Sequence, residues 1–169
     1  MQRHRLLLAG AAAALVACVA RQPDVMTDVA VGDLDVLRWT ATLAPPPAAS
    51  GDTIAQQHAA MHGNVTGTAA VTSGSSTTET RATVTLNGAA PGATHPWHVH
   101  LGRCDDDRGI VGQATAYTPI TVGQDGRGTA TVTLPFTAPT EGEYFVKVHH
   151  SPSTMGAIVA CGNLTGGVR

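Results

Sequence analysis

The stretch HPWHVH at residues 95–100 decides the fold and the chemistry of this chain, together with YFVKVH at residues 144–149. Alternate side chains of a β-strand share one face, so His98 and His100 project together, opposite to the apolar side chains beside them. In the second stretch an apolar row alternates with polar positions and leaves His149 on the other face. The pattern predicts two strands that aim three imidazoles the same way, outside a packed apolar interior.

Turn residues separate eight short segments that alternate as strands do. The predicted strands cover residues 36–43, 64–72, 79–87, 95–100, 116–122, 129–134, 143–149 and 157–161. Eight short strands with polar residues on their outer faces favour an all-β sandwich or barrel. Residues 54–62 break the alternation with helix-forming residues, and we expect a short helix inserted there, between the first two strands.

Composition and charge agree with a single small β domain. The chain has 169 residues, of which 13% are charged and 4% aromatic, a mixture that suits short strands and turns. Ten Lys and Arg residues stand against twelve Asp and Glu, and no basic stripe indicates a nucleic-acid partner.

The N-terminus has the pattern of a secretory targeting segment. Arg3 and Arg5 precede an apolar run at residues 6–17 that is too short to span a bilayer comfortably. The run ends in LVAC, which resembles the bacterial lipobox and predicts that Cys18 is lipidated. An ordinary signal peptide that happens to contain Cys18 is the alternative.

This interpretation divides the chain into three parts: a lipoprotein signal peptide at residues 1–17, a flexible tether at 18–36 and the β domain at 37–169. It predicts a lipid-anchored protein of the bacterial cell envelope, facing the periplasm or exposed at the surface. Val19 after the lipidated cysteine favours the outer membrane, because it is not the aspartate that retains some lipoproteins at the inner membrane.

The cysteines allow two interpretations. If Cys18 carries lipid, Cys104 and Cys161 remain as the only possible pair, and a bridge between them would stabilise the fold by roughly 2–4 kcal/mol. Alternatively both are metal ligands, although neither has the C-x-x-C spacing of a zinc site.

Several segments of this chain resemble the copper/zinc superoxide dismutase family, whose fold is an eight-stranded Greek-key β-barrel. The matching segments are HPWHVH at 95–100 for the family's HGFHVH, VKVH at 146–149 for its V-V-H strand, ACG at 160–162 for its closing A-C-G, Cys104 for the disulfide partner and DG at 125–126 for a hairpin turn. The resemblance covers about residues 37–164 and implies a barrel with a disulfide between Cys104 and Cys161.

The resemblance also implies a metal site. It makes His98, His100 and His149 copper ligands, and it makes His95 a residue that supports the site without binding metal. The family reaction alternates Cu(II) and Cu(I), oxidising one superoxide to oxygen and reducing the next to hydrogen peroxide. We therefore expect superoxide or copper ions as partners and a copper-only superoxide dismutase as the first hypothesis.

The chain departs from the family at its zinc site and at an arginine. No histidine lies between Leu101 and Val148, so the metal-bridging histidine and the zinc histidines have no counterpart, and we expect copper without zinc. Ile158 stands where the family has the arginine that holds the superoxide anion. These departures support a second hypothesis, a non-catalytic module for copper storage or delivery. A metal-free structural or binding barrel is the third.

Other residues are candidate ligands from their type and position. His58 and His62 are four residues apart in the predicted helix, and Met155 offers a thioether suited to Cu(I). His150 follows His149 and should point the other way, as a loop or supporting residue that could substitute as a ligand. The acidic run at residues 105–107 has the pattern of a solvated turn, with a weak divalent-ion site as the minor interpretation.

Overall fold

The computed structural model describes residues 37–46 and 64–167. Eleven strands are found there: β1 (Arg38–Leu43), β2 (Thr66–Ser73), β3 (Thr80–Asn87), β4 (Thr94–His95), β5 (Trp97–Arg103), β6 (Asp106–Ile110), β7 (Ile120–Thr121), β8 (Gly128–Leu134), β9 (Tyr144–His149), β10 (Ile158–Asn163) and β11 (Thr165–Gly167). Within these ranges the helical structure is a single 3-10 turn, Ala114–Ala116. The predicted helix at residues 54–62 lies outside the described residues.

The strands form an antiparallel β-sandwich. One sheet has the order β11-β1-β2-β3-β8, the second has the order β10-β9-β5-β6, and β4 pairs with β7 in a small third sheet. Strands distant in the chain are neighbours in both large sheets, because β3 pairs with β8 and β5 pairs with β9. These crossovers between sheets are those expected of Greek-key connections. The predicted all-β class is therefore confirmed.

The two large sheets do not close into a barrel. At one corner Ala44 and Cys161 exchange two backbone hydrogen bonds, of 3.1 and 2.8 Å, which join the end of β1 to the middle of β10. At the opposite corner no pairing among the described residues joins β6 to β8. Every residue of β6 is exposed, and its sequence DDRGI offers no apolar row for packing against the other sheet. Of the two predicted architectures, a sandwich or a barrel, the structure has the sandwich, and its sheets are not closed.

The interior follows the alternation of the sequence. In β3 the side chains of Ala82, Val84 and Leu86 are buried, while the threonines between them lie outside. Those outer threonines pair across strands: the hydroxyls of Thr83 and Thr131 are 3.0 Å apart. Burying one apolar side chain contributes about 1.5–3 kcal/mol to the free energy of folding, so the buried apolar rows hold the two sheets together.

The second half of the core is built on the histidine strands. Trp97, Val99, Val146 and Val148 all have at most 4% of their surface exposed. The indole Nε1 of Trp97 donates to the carbonyl of Thr118 at 2.9 Å, which satisfies its one polar group. The inward rows predicted for β5 and β9 are therefore confirmed, and they determine which way the histidines point.

Several segments differ from the predicted strands. The stretch 95–100 is divided at Pro96 between β4 and β5, and β11 lies in none of the predicted strands. Residues 116–122 form the end of the 3-10 turn and the two-residue β7 instead of one long strand. Residues 102–113 lie in none of the predicted strands, and they contain β6. The strand β6 is an edge strand that is exposed along its whole length, and for this reason its polar sequence shows no alternation. The pairing of β6 with β5 comes from backbone hydrogen bonds.

Cys104 and Cys161 form the predicted disulfide, with their Cα atoms 6.0 Å apart. The bridge joins the turn between β5 and β6 to β10, across 57 residues of sequence. Both cysteines are therefore excluded as metal ligands. In the described part of the chain, no helix is long and apolar enough to cross a membrane.

Candidate metal centre

Three histidines from two neighbouring strands converge on one point. His98 and His100 share a face of β5, and His149 ends β9, which runs antiparallel beside β5. The backbone N–H of His149 donates to the carbonyl of Pro96 at 2.8 Å, which fixes the end of β9 next to the start of β5. One ring nitrogen from each histidine lies within 4.8 Å of the other two. We call these three residues the histidine triad.

The histidine triad is buried, although it lies on the face of β5 turned away from the apolar row. His98 and His100 are each 4% exposed and His149 is 7% exposed. Aromatic rings cover them: Tyr117 lies with its ring centroid 5.2 Å from that of His98, and Phe145 lies 5.0 Å from His100. The imidazoles thus occupy a sheltered site and not the open outer surface that strand alternation alone suggests.

Hydrogen bonds fix the tautomers of His100 and His149. Nδ1 of His149 donates to the backbone carbonyl of Met155, an oxygen that can only accept. Nδ1 of His100 donates to the carboxylate Oδ1 of Asp107 at 2.8 Å. In each neutral ring the proton is therefore on Nδ1, and Nε2 carries an unprotonated lone pair. Nε2 of His100 is buried without a hydrogen-bond partner, a costly arrangement that a bound metal ion would relieve.

The third ligand atom is Nδ1 of His98, which lies 3.3 Å from Nε2 of His149. Two nitrogens bound about 2.0–2.1 Å from one ion at tetrahedral angles are about 3.3–3.4 Å apart, so the spacing suits a shared metal. Without metal, Nε2 of His149 carries no proton and accepts a hydrogen bond from the protonated Nδ1 of His98. A metal ion would take the place of that proton.

The triad is held uncharged near neutral pH. Burial, with smaller contributions from the charges of His149, His100 and Lys147, lowers the pKa of His98 to about 4. Burial also lowers the pKa of His100 and of His149, against the opposing effect of their hydrogen bonds to Asp107 and Met155. Because a metal binds only the unprotonated nitrogen, these shifts keep the ligands available at pH 7.

His95 lies behind the triad and contacts its backbone. Its Nδ1 donates to the carbonyl of His149 at 3.0 Å, so it holds the end of β9 in place and contributes no nitrogen to the triad. His150 lies outside the triad as well. Its Nδ1 is 2.7 Å from the hydroxyl of Thr154, and its ring centroid is 6.5 Å from that of His95.

Three further residues were predicted as candidate ligands: Met155, His58 and His62. Met155 contributes its backbone carbonyl to His149, and its side chain is 39% exposed. A role for its thioether as a ligand stays a prediction. His58 and His62 lie outside the described residues.

Two charged residues lie beside the triad, Asp107 and Lys147, and the sequence pattern did not predict that they would meet it. Asp107, expected in a solvated turn, receives hydrogen bonds from His100, from the backbone N–H of Gly109 and from the ammonium of Lys147. Burial opposes ionisation of the Asp107 carboxyl, but these three donors together hold its pKa well below the ordinary range. The position of Lys147 in the sequence could have indicated its role, because it lies two residues before His149 and therefore shares the same face of the strand.

Comparison of the chain with protein-family models and with curated proteins finds no match. The case for a metal centre therefore depends on the geometry of the triad: three buried neutral imidazoles, converging ring nitrogens, and a buried Nε2 that lacks a partner.

Proposed function

We propose that this protein binds one copper ion at His98, His100 and His149 and uses it to dismutate superoxide. The observation that carries the proposal is the buried Nε2 of His100, which has no hydrogen-bond partner and belongs to a triad whose ring nitrogens, one from each histidine, lie within 4.8 Å of one another. A buried polar atom without a partner is rare in folded proteins and calls for an explanation such as a metal ion.

Copper is favoured by the chemistry of the donors. Imidazole suits Zn, Cu, Fe and Ni, and among the divalent first-row ions Cu(II) binds a given nitrogen site most tightly. The resemblance of the histidine segments to copper/zinc superoxide dismutases supports the same metal. Bound copper, alternating between Cu(II) and Cu(I), would convert two superoxide anions and two protons into one oxygen and one hydrogen peroxide.

The chain's own residues would hold and shelter the ion. Asp107 and the carbonyl of Met155 orient two of the imidazoles through their Nδ1 protons, and His95 secures the backbone of His149. Such partners of metal-binding histidines fix the ring orientation and raise ligand basicity. Tyr117 and Phe145 pack against the imidazoles and reduce the access of water to them.

Copper storage or delivery without fast turnover is the second candidate, and a specific observation favours it. Ile158 pairs in register with His149, where the related enzymes carry a guiding arginine. Lys147 lowers the pKa of all three histidines by its charge, but its ammonium is already engaged by Asp107. An incoming anion would therefore meet a neutralised cation.

The proposal is tested in two stages on the purified protein. Titration with Cu(II), followed by optical and electron paramagnetic resonance spectroscopy, should show one ion bound through nitrogen ligands, and His98→Ala should abolish it. Pulse radiolysis of the copper-loaded protein then measures dismutation. Catalysis above that of the His98→Ala protein incubated with the same amount of copper supports the enzyme. Tight binding without catalysis supports storage or delivery, and no copper uptake leaves the metal-free barrel.

The setting proposed for this activity is the bacterial cell envelope, with a lipid anchor at Cys18 and the outer membrane favoured over the inner one. The support is the sequence of the first nineteen residues, which lie outside the described part of the chain. Metabolic labelling with a radioactive fatty acid tests it: a Cys18→Ala variant should lose the label.

A further inference from the structure

Asp107 connects a histidine of the triad to a lysine. Its Oδ1 atom accepts from Nδ1 of His100 at 2.8 Å and from the backbone N–H of Gly109 at 2.9 Å. Its Oδ2 atom accepts from the ammonium of Lys147. One carboxylate oxygen of Asp107 therefore bonds the histidine of the triad, and the other bonds the ammonium of Lys147.

We propose that Asp107 and Lys147 form a charge pair that sets the affinity of the triad for copper and its preference between Cu(II) and Cu(I). The inference rests on the proposed copper site and adds to it two positioning residues that do not bind the metal. In this arrangement Asp107 strengthens binding of Cu(II), and Lys147 limits that effect.

The effect of Asp107 follows from its hydrogen bond. A carboxylate that accepts from Nδ1 draws the proton toward itself and raises the electron density at Nε2, which makes the imidazole a more basic ligand. The more highly charged Cu(II) gains more from this than Cu(I) does. The carboxylate charge acts in the same direction across the 2.8 Å hydrogen bond to His100, and water screens part of it because the Asp107 side chain is 35% exposed.

The effect of Lys147 has the opposite sign. Lys147 is paired directly with His98 across the two strands, and its ammonium lies beside Asp107 and 5.4 Å from the ring centroid of Phe145. A fixed cation at this place repels a metal ion and disfavours the higher charge of Cu(II). It also draws negative charge of Asp107 away from His100.

The two contributions can be separated because the hydrogen bond to His100 does not depend on Lys147. Gly109 holds Oδ1 of Asp107 from the backbone, at a residue whose φ of +113° favours glycine. Removing the ammonium therefore leaves Oδ1 in place. Lys147→Met keeps most of the aliphatic stem, which preserves the packing around the strand.

The experiment compares Asp107→Asn and Lys147→Met with matched controls. Asp106→Asn removes the same charge one residue away, from a carboxylate that bonds Arg108 instead of the triad. Arg81→Met removes a cation from β3, in the other sheet. For each protein, competition with a chelator gives the Cu(II) affinity, and a redox titration gives the midpoint potential of the bound copper. Circular dichroism establishes that each variant folds.

We expect Asp107→Asn to bind Cu(II) about 10- to 100-fold more weakly than the wild type, with a raised midpoint potential of the bound copper. Lys147→Met should bind Cu(II) more tightly than the wild type, with a lowered midpoint potential. The two controls should stay within about twofold of the wild type. The inference would be overturned if the Cu(II) affinity shifted in the same direction in both variants, or if Asp107→Asn behaved like Asp106→Asn. Either result would leave the copper site itself unaffected. Should Asp107→Asn fail to fold, Lys147→Met decides alone, since unchanged or weaker binding contradicts the proposal. A wild-type protein that binds no copper would overturn the proposed function as well.

Discussion

Acid should begin to destabilise the metal-free protein near pH 6.5, well above the pH at which ordinary carboxylates titrate. In the folded protein the pKa of His98 is lowered from 6.5 to about 4, and those of His100 and His149 are lowered too. The unfolded chain takes up protons first as the pH falls, so the free energy of unfolding decreases between pH 6.5 and 4. The stability contributed by the neutral triad is fully present only above pH 6.5.

The size of this loss follows from the shift of His98. At 1.36 kcal/mol per pKa unit, the shift from 6.5 to about 4 corresponds to about 3 kcal/mol once the pH is below both values, and to about 2 kcal/mol at pH 5 compared with pH 7.5. His100 and His149 add losses in the same direction. For a small domain with about 5–15 kcal/mol of total stability, this is a large fraction.

Urea denaturation with a chelator present, at pH 7.5 and at pH 5, measures the effect through the extrapolated free energy of unfolding. A His98→Gln variant is the matched comparison: it should lose about 2 kcal/mol less between the two pH values than the wild type. Equal pH dependence in the two proteins would refute the argument that burial keeps His98 neutral.

Three further predictions concern metal, disulfide and core. Copper at one hundred times its dissociation constant should add about 2.7 kcal/mol to the free energy of unfolding, measured by thermal or urea denaturation, and His149→Ala should remove the gain. Replacing both Cys104 and Cys161 by alanine should cost about 2–5 kcal/mol in urea denaturation, and a smaller loss would show that the bridge constrains the chain little. Leu86→Ala, at a position with no exposed surface, should lower the free energy of unfolding by about 2–5 kcal/mol in the same assay. Thr85→Ala, on the outer face, should lower it by under about 1 kcal/mol. Equal losses in the two variants would contradict the assignment of inner and outer rows.

Much of the fold could be predicted because strand alternation is local. The two-residue period places His98 and His100 together and selects His149 over His150, and the structure brings those three residues into one cluster. The boundaries of β3 and β8 follow their alternating threonines closely. The edge strand β6 could not be found in this way, because its side chains are exposed on both faces and its sequence carries no period.

The sequence by itself determined which residues are candidates and on which face of their strands they lie. It also determined the all-β class and pointed to the cysteine pair, since these depend on period, composition and count. Only the tertiary structure decided that the sheets remain open and that aromatic rings bury the triad. It also decided that Asp107 and Lys147 meet beside His100. Burial and charge pairing here join residues forty or more positions apart, such as Asp107 with Lys147 and His100 with Phe145. A local pattern holds no record of which distant side chains will come into contact.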